Sequence, residues 1–422
     1  MANLKIVAVG LLLFGCLVSC SYSQQETTTS TLATVPSTGK GNPSLLDFDE
    51  DIIPAANQIH EYQKLIDGKR LGLVINQTSI VGPVHLVDTL WKLNCKINKI
   101  FAPEHGFRGK ADAGATIKDG LDVKTGVPIV SLYGKNKKPN SEQLKDIDLM
   151  IFDVQDVGVR FYTYTSTMTY VMQACAENNI PLLILDRPNP NGHYVDGPVL
   201  QKEQKSFVGL HPVPIVHGLT VAEYAKMINE EGWLGTGLKC QLFIVKCLNY
   251  NHKKYYELPV KPSPNLPNMH SIYLYPSLCL FEGTSVSVGR GTNKQFQIYG
   301  HPSFINGNFN FKPSPHEGAK KPKHNGLTCN GYDLSNQSIK YLQSSATLNI
   351  DLLLDFYNAF SEEEKSVFFR ENNFFNLLSG NKSLQDQIKS EMNSNDIRQT
   401  WEPLLTDYKK NRKKYLLYPD FE

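Results

Sequence analysis

The densest chemistry in this sequence lies in Ala102–Gly109, which reads Ala-Pro-Glu-His-Gly-Phe-Arg-Gly. Glu104 stands there between an apolar run and a glycine-bearing loop. A carboxyl group kept protonated by partial burial can act as a general acid. His105 beside it can tune that acid or bind substrate. Gly106 and Gly109 suit a loop that approaches a ligand closely. Read structurally, the same Glu would cap the next helix. A second carboxylate, Glu282, lies in Phe281-Glu282-Gly283-Thr284, ahead of the glycine-flanked Arg290 in Gly289-Arg290-Gly291-Thr292. The guanidinium suits an anionic group. Two carboxylates on one cleft are what glycosidic hydrolysis ordinarily requires, one as acid and one as base or nucleophile. The competing reading makes Glu282 the ion-pair partner of Arg290.

Three more strings carry polar residues. Phe152–Tyr164 reads Phe-Asp-Val-Gln-Asp-Val-Gly-Val-Arg-Phe-Tyr-Thr-Tyr. Asp156 and Gln155 suit sugar hydroxyls, Arg160 can hold a carboxylate, and Tyr164 follows with Tyr162. The alternative is an Asp–Arg pair fixing a strand-to-helix turn, with both tyrosines in the core. Asp186-Arg187-Pro188-Asn189-Pro190-Asn191-Gly192 is a rigid turn, with Asp186 its candidate for substrate contact. In Val216-His217-Gly218-Leu219-Thr220, Thr220 and Glu223 form a capping box. That leaves His217 as a loop residue facing the same rim.

Parallel strands are the elements that would position these residues. Apolar runs at Leu71–Ile75, Ile97–Ala102, Pro128–Tyr133, Leu149–Val154 and Pro181–Leu185 alternate with helical patterns such as Tyr162–Glu177 and Thr220–Glu231. Such alternation predicts a parallel sheet in an α/β domain. Polar residues follow directly at the strand ends (Asn76, Glu104, Asp153, Asp186), where open α/β sheets bind ligands. After the break at Leu234–Gly237 the pattern changes to strand-like Cys240–Cys247, turns and C-terminal helices. The expected architecture is therefore a Rossmann-like α/β domain over 47–238 and a smaller α+β domain over 239–422. No Gly-x-Gly-x-x-Gly or Gly-Lys-Ser/Thr loop follows the early strands, so no nucleotide cofactor is expected. A Gly-x-Ser-x-Gly nucleophile elbow is also absent.

The chain has 422 residues with 43 Lys+Arg against 41 Asp+Glu, a net charge of +2, which gives no footprint for nucleic acid. At the N-terminus, Lys5 precedes an apolar run, Ile6–Val18, too short to span a bilayer and fitting a secretory signal. Leu17-Val18-Ser19-Cys20 resembles the lipobox of bacterial lipoproteins, which implies cleavage before Cys20 and its lipidation. Residues 1–19 are thus read as a signal peptide and 20–46 as a polar tether. A lipid-anchored cell-envelope protein follows, held at the membrane through Cys20. The six cysteines after Cys20 contain no Cys-x-x-Cys pair, so no zinc site is expected. Buried free thiols are the expected state of most.

Taken together, Glu104 within APEHGFRG, SLYG at Ser131–Gly134, Phe152–Tyr164, Asp186–Gly192, PSPNLP at Pro262–Pro267 and EGTSVSVGRGT at Glu282–Thr292 resemble the NamZ-type exo-β-N-acetylmuramidases. The resemblance runs from about Leu65 to the C-terminus. It implies a peptidoglycan-recycling glycoside hydrolase that releases N-acetylmuramic acid from the non-reducing end of peptidoglycan-derived muramyl saccharides, without a cofactor. It implies an active site in a cleft between the two domains, with Glu104 as the acid. Glu282 is the candidate for the second catalytic group, and Arg290 or Arg160 for the lactyl carboxylate. The rival reading is an anchored protein that captures such fragments without cleaving them.

Overall fold

Residues 50–108 and 120–422 are described in this computed structural model; the segments read above as a signal peptide and a tether, with Cys20, and Gly109 fall outside them. The strands among the described residues are β1 (Arg70–Ile75), β2 (Ile80–Val81), β3 (Val84–His85), β4 (Lys96–Ala102), β5 (Gly120–Leu121), β6 (Pro128–Ser131), β7 (Leu149–Asp153), β8 (Leu182–Leu185), β9 (Leu242–Val245), β10 (Ile298–His301), β11 (Phe309–Phe311) and β12 (Cys329–Asp333). Seven of them form one sheet in the order β5-β6-β4-β1-β7-β8-β9. All neighbours are parallel except the edge strand β5. Counted along the chain, the six parallel strands lie in the order 3-2-1-4-5-6 of a Rossmann fold, with the topological switch between β1 and β7. The apolar runs are continuous because both faces are covered; every residue of β7 and β8 is buried.

One expected boundary moves. The run Cys240–Cys247 was expected to open the second domain, but β9 lies parallel to β8, pairing Leu182 with Leu242 through Leu185 with Val245. It is the sixth parallel strand, reached by the crossover helix Val221–Glu230. The glycine-rich break that suggested a boundary is the end of that helix. Gly232, Gly235 and Gly237 there take positive φ, which glycine adopts without steric cost.

The second region opens with the helix Met269–Leu278, which tightens into a 3-10 turn at Cys279–Gly283. A three-stranded antiparallel sheet, β10-β12-β11, and a series of helices through Ser394–Arg412 complete it. The two regions share one core. Phe101 and Phe152 from the large sheet belong to the same buried cluster as Tyr275, Phe281, Phe356 and Trp401. Fully burying each such side chain is worth about 1.5–3 kcal/mol, so the regions hold each other as well as themselves.

Candidate active site

Strand β4 ends at Ala102 and runs into a tight turn in which Gly106 N–H donates to the Pro103 carbonyl at 3.0 Å. His105 occupies the third position of that turn with φ 70°, a left-handed conformation usually left to glycine. Holding a histidine there costs backbone energy, and strain of this kind concentrates at functional sites. The imidazole is buried, and its Nε2 hydrogen-bonds with Ser263 Oγ at 3.2 Å. Glu104, half-buried, accepts a hydrogen bond at Oε2 from the Thr163 hydroxyl at 3.0 Å. The Tyr164 hydroxyl reaches the Glu104 carbonyl at 3.4 Å, and Tyr162 donates to the Pro262 carbonyl at 2.8 Å. The turn after β4, the loop after β7 and the Pro262–Pro267 loop therefore lock around one carboxylate.

Facing elements bring the second group. Glu282 sits in the 3-10 turn, and its Oε2 lies 3.1 Å from Arg290 Nε. Burial alone would favour the neutral acid, but Arg290 and Lys323 together hold the Glu282 carboxyl below the usual range. Arg290 also lies over the Phe296 ring at 5.0 Å. The ion-pair reading of Glu282 is thus realised. It does not remove the pair from the site, since both residues line the cavity.

That cavity has a volume of about 300 Å³, at the lower end for small-molecule sites. Of the sequence candidates it gathers Glu104, His105, Tyr164, Glu282 and Arg290. It adds Thr163, Ser263, Asn265 and an apolar rim including Phe207 and Phe374, none of which was singled out by residue type. Thr163, Ser263 and Asn265 stand inside the strings that carried the resemblance, so their signal was position. Phe207 and Phe374 carry no such signal. Asn265 donates from Nδ2 to the Gly318 carbonyl at 2.8 Å, and its buried Oδ1 has no protein partner among the described residues.

Four candidates lie elsewhere. Arg160 is 1% exposed, and its two Nη groups donate to the carbonyls of Pro198, Val213, Leu378 and Ser379 at 2.7–2.8 Å. It clamps main chain and binds no sugar acid from there. Asp186 accepts from Ala222 N–H, at the start of the Val221–Glu230 helix, at 3.0 Å and from the Tyr418 hydroxyl at 2.6 Å. Burial pushes its carboxyl up to about 6. His217 is buried, not on a rim; its Nδ1 accepts from Leu219 N–H, and burial, with Arg412 and Arg160 nearby, pushes it down to about 3. Asp156 is buried beside the cavity wall, accepts from Gly158 N–H at 2.7 Å, and is pushed up to about 7 by burial. The capping box of Thr220 and Glu223 forms as expected. The six described cysteines are free thiols, five of them buried and Cys95 half-buried.

Comparison with known proteins follows the same division. The family model described as "Exo-beta-N-acetylmuramidase NamZ, N-terminal" matches residues 71–270, and its C-terminal counterpart matches residues 273–418. The chain is 35% identical over 427 residues to the peptidoglycan beta-N-acetylmuramidase NamZ of Bacillus subtilis, covering 97% of this chain and 98% of that one. Two crystal structures of DUF1343 family proteins from Bacteroides fragilis superpose on it. One has a TM-score of 0.81 at 45% identity, covering 88% of this chain and all of the other. The second has a TM-score of 0.72 at 27% identity, covering 87% and 99%.

Proposed function

The chain belongs to the exo-β-N-acetylmuramidase NamZ family, and from that premise we propose how its cavity does the work of a glycoside hydrolase that releases N-acetylmuramic acid from the non-reducing end of peptidoglycan fragments. One observation carries the assignment of roles. Glu104, Glu282 and Arg290, which come from distant parts of the chain, line one small cavity.

Glu104 is the proton donor to the leaving glycosidic oxygen, with the Thr163 hydroxyl fixing the orientation of its carboxyl. Glu282, held ionised among cations, is the group suited to the other face of the reaction, where positive charge develops at the anomeric carbon. Arg290 is the residue that reads the lactyl carboxylate of the sugar, its plane set by Glu282 and Phe296. A cavity of about 300 Å³ suits one terminal sugar unit rather than an extended glycan, in keeping with exo action. Incubation with the disaccharide of N-acetylmuramic acid and N-acetylglucosamine should yield free N-acetylmuramic acid. Recovery of intact disaccharide alone would overturn the reading.

Location is a separate part of the proposal. The apolar run Ile6–Val18 and the Ser19-Cys20 pair support a lipid anchor at Cys20 and a place in the bacterial cell envelope, where the enzyme would serve cell-wall recycling. Changing Cys20 to Ala should move the protein from the membrane to the soluble fraction and abolish labelling by a fatty acid. Unchanged membrane association would contradict the anchor.

A further inference from the structure

The Glu282–Arg290 pair is backed by a residue outside the cavity lining. Lys323 directs its ammonium into a ring of four main-chain carbonyls: Phe281 at 2.9 Å, Glu282 at 3.3 Å, Thr284 at 2.7 Å and Val286 at 2.9 Å. The Phe281 and Glu282 carbonyls belong to the 3-10 extension that ends the Met269–Leu278 helix, and those of Thr284 and Val286 follow directly after it. The end of a helix carries partial negative charge and unpaired carbonyls, so a cation there satisfies both. The same elements deliver Tyr275, Cys279 and Glu282 to the cavity.

The surrounding segment is fitted to the same task. His324 Nε2 hydrogen-bonds with the Ser285 carbonyl at 2.7 Å. Pro322 packs so closely on Gly291 that a Cβ there would approach Pro322 Cγ to 2.7 Å, and Ser314 N–H donates to the Gly291 carbonyl at 2.9 Å. One stretch of chain thus braces the loop of Glu282 and the loop of Arg290 at once.

We propose that Lys323 is a positioning residue for hydrolysis, one that fixes the turn bearing Glu282 against Arg290 and keeps that carboxylate among cations. The inference rests on the function proposed above. Besides Lys323, the groups acting electrostatically on Glu282 are Arg290 and Arg370, with Cys279 and Tyr275 in the same wall. Lys323 is therefore one of several charges, and its removal should weaken the site without emptying it of cations.

The test compares kcat/KM against pH, on a muramyl chromogenic glycoside, for the full chain and three variants. Lys323→Met keeps length and removes charge. It should lower kcat/KM at least tenfold and move the acid limb of the profile upward by about one pH unit, because Glu282 loses a stabilising cation. Lys323→Arg keeps the charge but presents a planar fork to the carbonyl ring; its kcat should fall while its acid limb stays in place. His324→Ala loosens the same loop without removing the ammonium and should leave the limb unmoved. A folded Lys323→Met with a wild-type profile would overturn the proposal, as would an equal shift in His324→Ala. Should Lys323→Met fail to fold, an acid limb that moves in Lys323→Arg would overturn it instead. A wild-type chain that releases no N-acetylmuramic acid would refute the function itself, a different result from any of these.

Discussion

Arg160 and Arg290 are both arginines in glycine-bearing strings, and either is chemically able to hold a carboxylate, yet the molecule uses them oppositely. Arg160 commits both Nη groups to main-chain carbonyls from two distant parts of the chain and lies at 1% exposure. Arg290 has a side-chain partner, an aromatic face and a place in a cavity wall. A guanidinium spent on backbone fixes the fold. One held by a carboxylate at a cavity keeps donors in reach of a ligand. The same contrast separates Asp186, tied to a helix start and a tyrosine, from Glu104, held by a threonine hydroxyl at the mouth of a strained turn.

That contrast yields graded expectations. Replacing Arg160 by Met removes its donors from four carbonyls, of which that of Val213 keeps the Leu200 N–H, and hydrogen bonds to a charged group are each worth about 1.5–3 kcal/mol. Urea unfolding should show a loss of at least about 3 kcal/mol, while the folded fraction retains wild-type KM. A raised KM with unchanged stability would place Arg160 in the site after all. Arg290→Lys keeps the charge opposite Glu282 but loses the fork. KM for muramyl substrates should rise roughly tenfold, with the unfolding midpoint nearly unchanged, and the rise should vanish for a substrate whose lactyl carboxylate is an amide. Equal rises for both substrates would remove Arg290 from acid recognition.

Smaller effects are expected deeper in the fold. Asp186→Asn should cost about 1 kcal/mol, since the Tyr418 hydroxyl loses its acceptor, and should leave kcat untouched. Two buried histidines and the half-buried His85 set a pH dependence. His211 and His217 are each pushed down to about 3 and His85 to about 4, chiefly by burial, from an ordinary value of 6.5. Below that ordinary value the unfolded chain takes up protons on these histidines that the folded chain does not, so their contribution to stability should fall as pH drops from about 6.5 toward 4, while Asp156 and Asp186, pushed up to about 7 and about 6, contribute in the opposite sense. His217→Asn should make that fall shallower in thermal melts at pH 7 and pH 5. An unchanged slope would mean that His217 does not contribute.

Much of this was legible in the sequence. Continuous apolar runs gave the parallel strands because both faces of the sheet are covered, and polar residues did follow their ends. What sequence did not separate was the polar residue that faces the cavity from the one that ties strand ends together. Asp153 ends β7 and Arg187 follows β8, and they pair with each other at 2.6 and 2.9 Å. Asn76 accepts from Thr78 N–H in its own turn at 2.9 Å. Residue type cannot reveal whether a partner lies across the sheet. The placement of β9 was hidden for another reason, because a glycine-rich helix end and a domain boundary look alike in one sequence. Phe207 and Phe374 reach the cavity only through tertiary packing, which leaves no local pattern.

The central claim is that Glu104 donates the proton, and one comparison tests it most directly. Release of free N-acetylmuramic acid from the muramyl disaccharide should be measured for the wild type and Glu104→Gln under the same conditions. General acid catalysis contributes roughly 10²–10⁴-fold, so the variant should lose at least about a hundredfold in kcat while melting at the wild-type temperature. Release within about threefold of wild type would contradict the account.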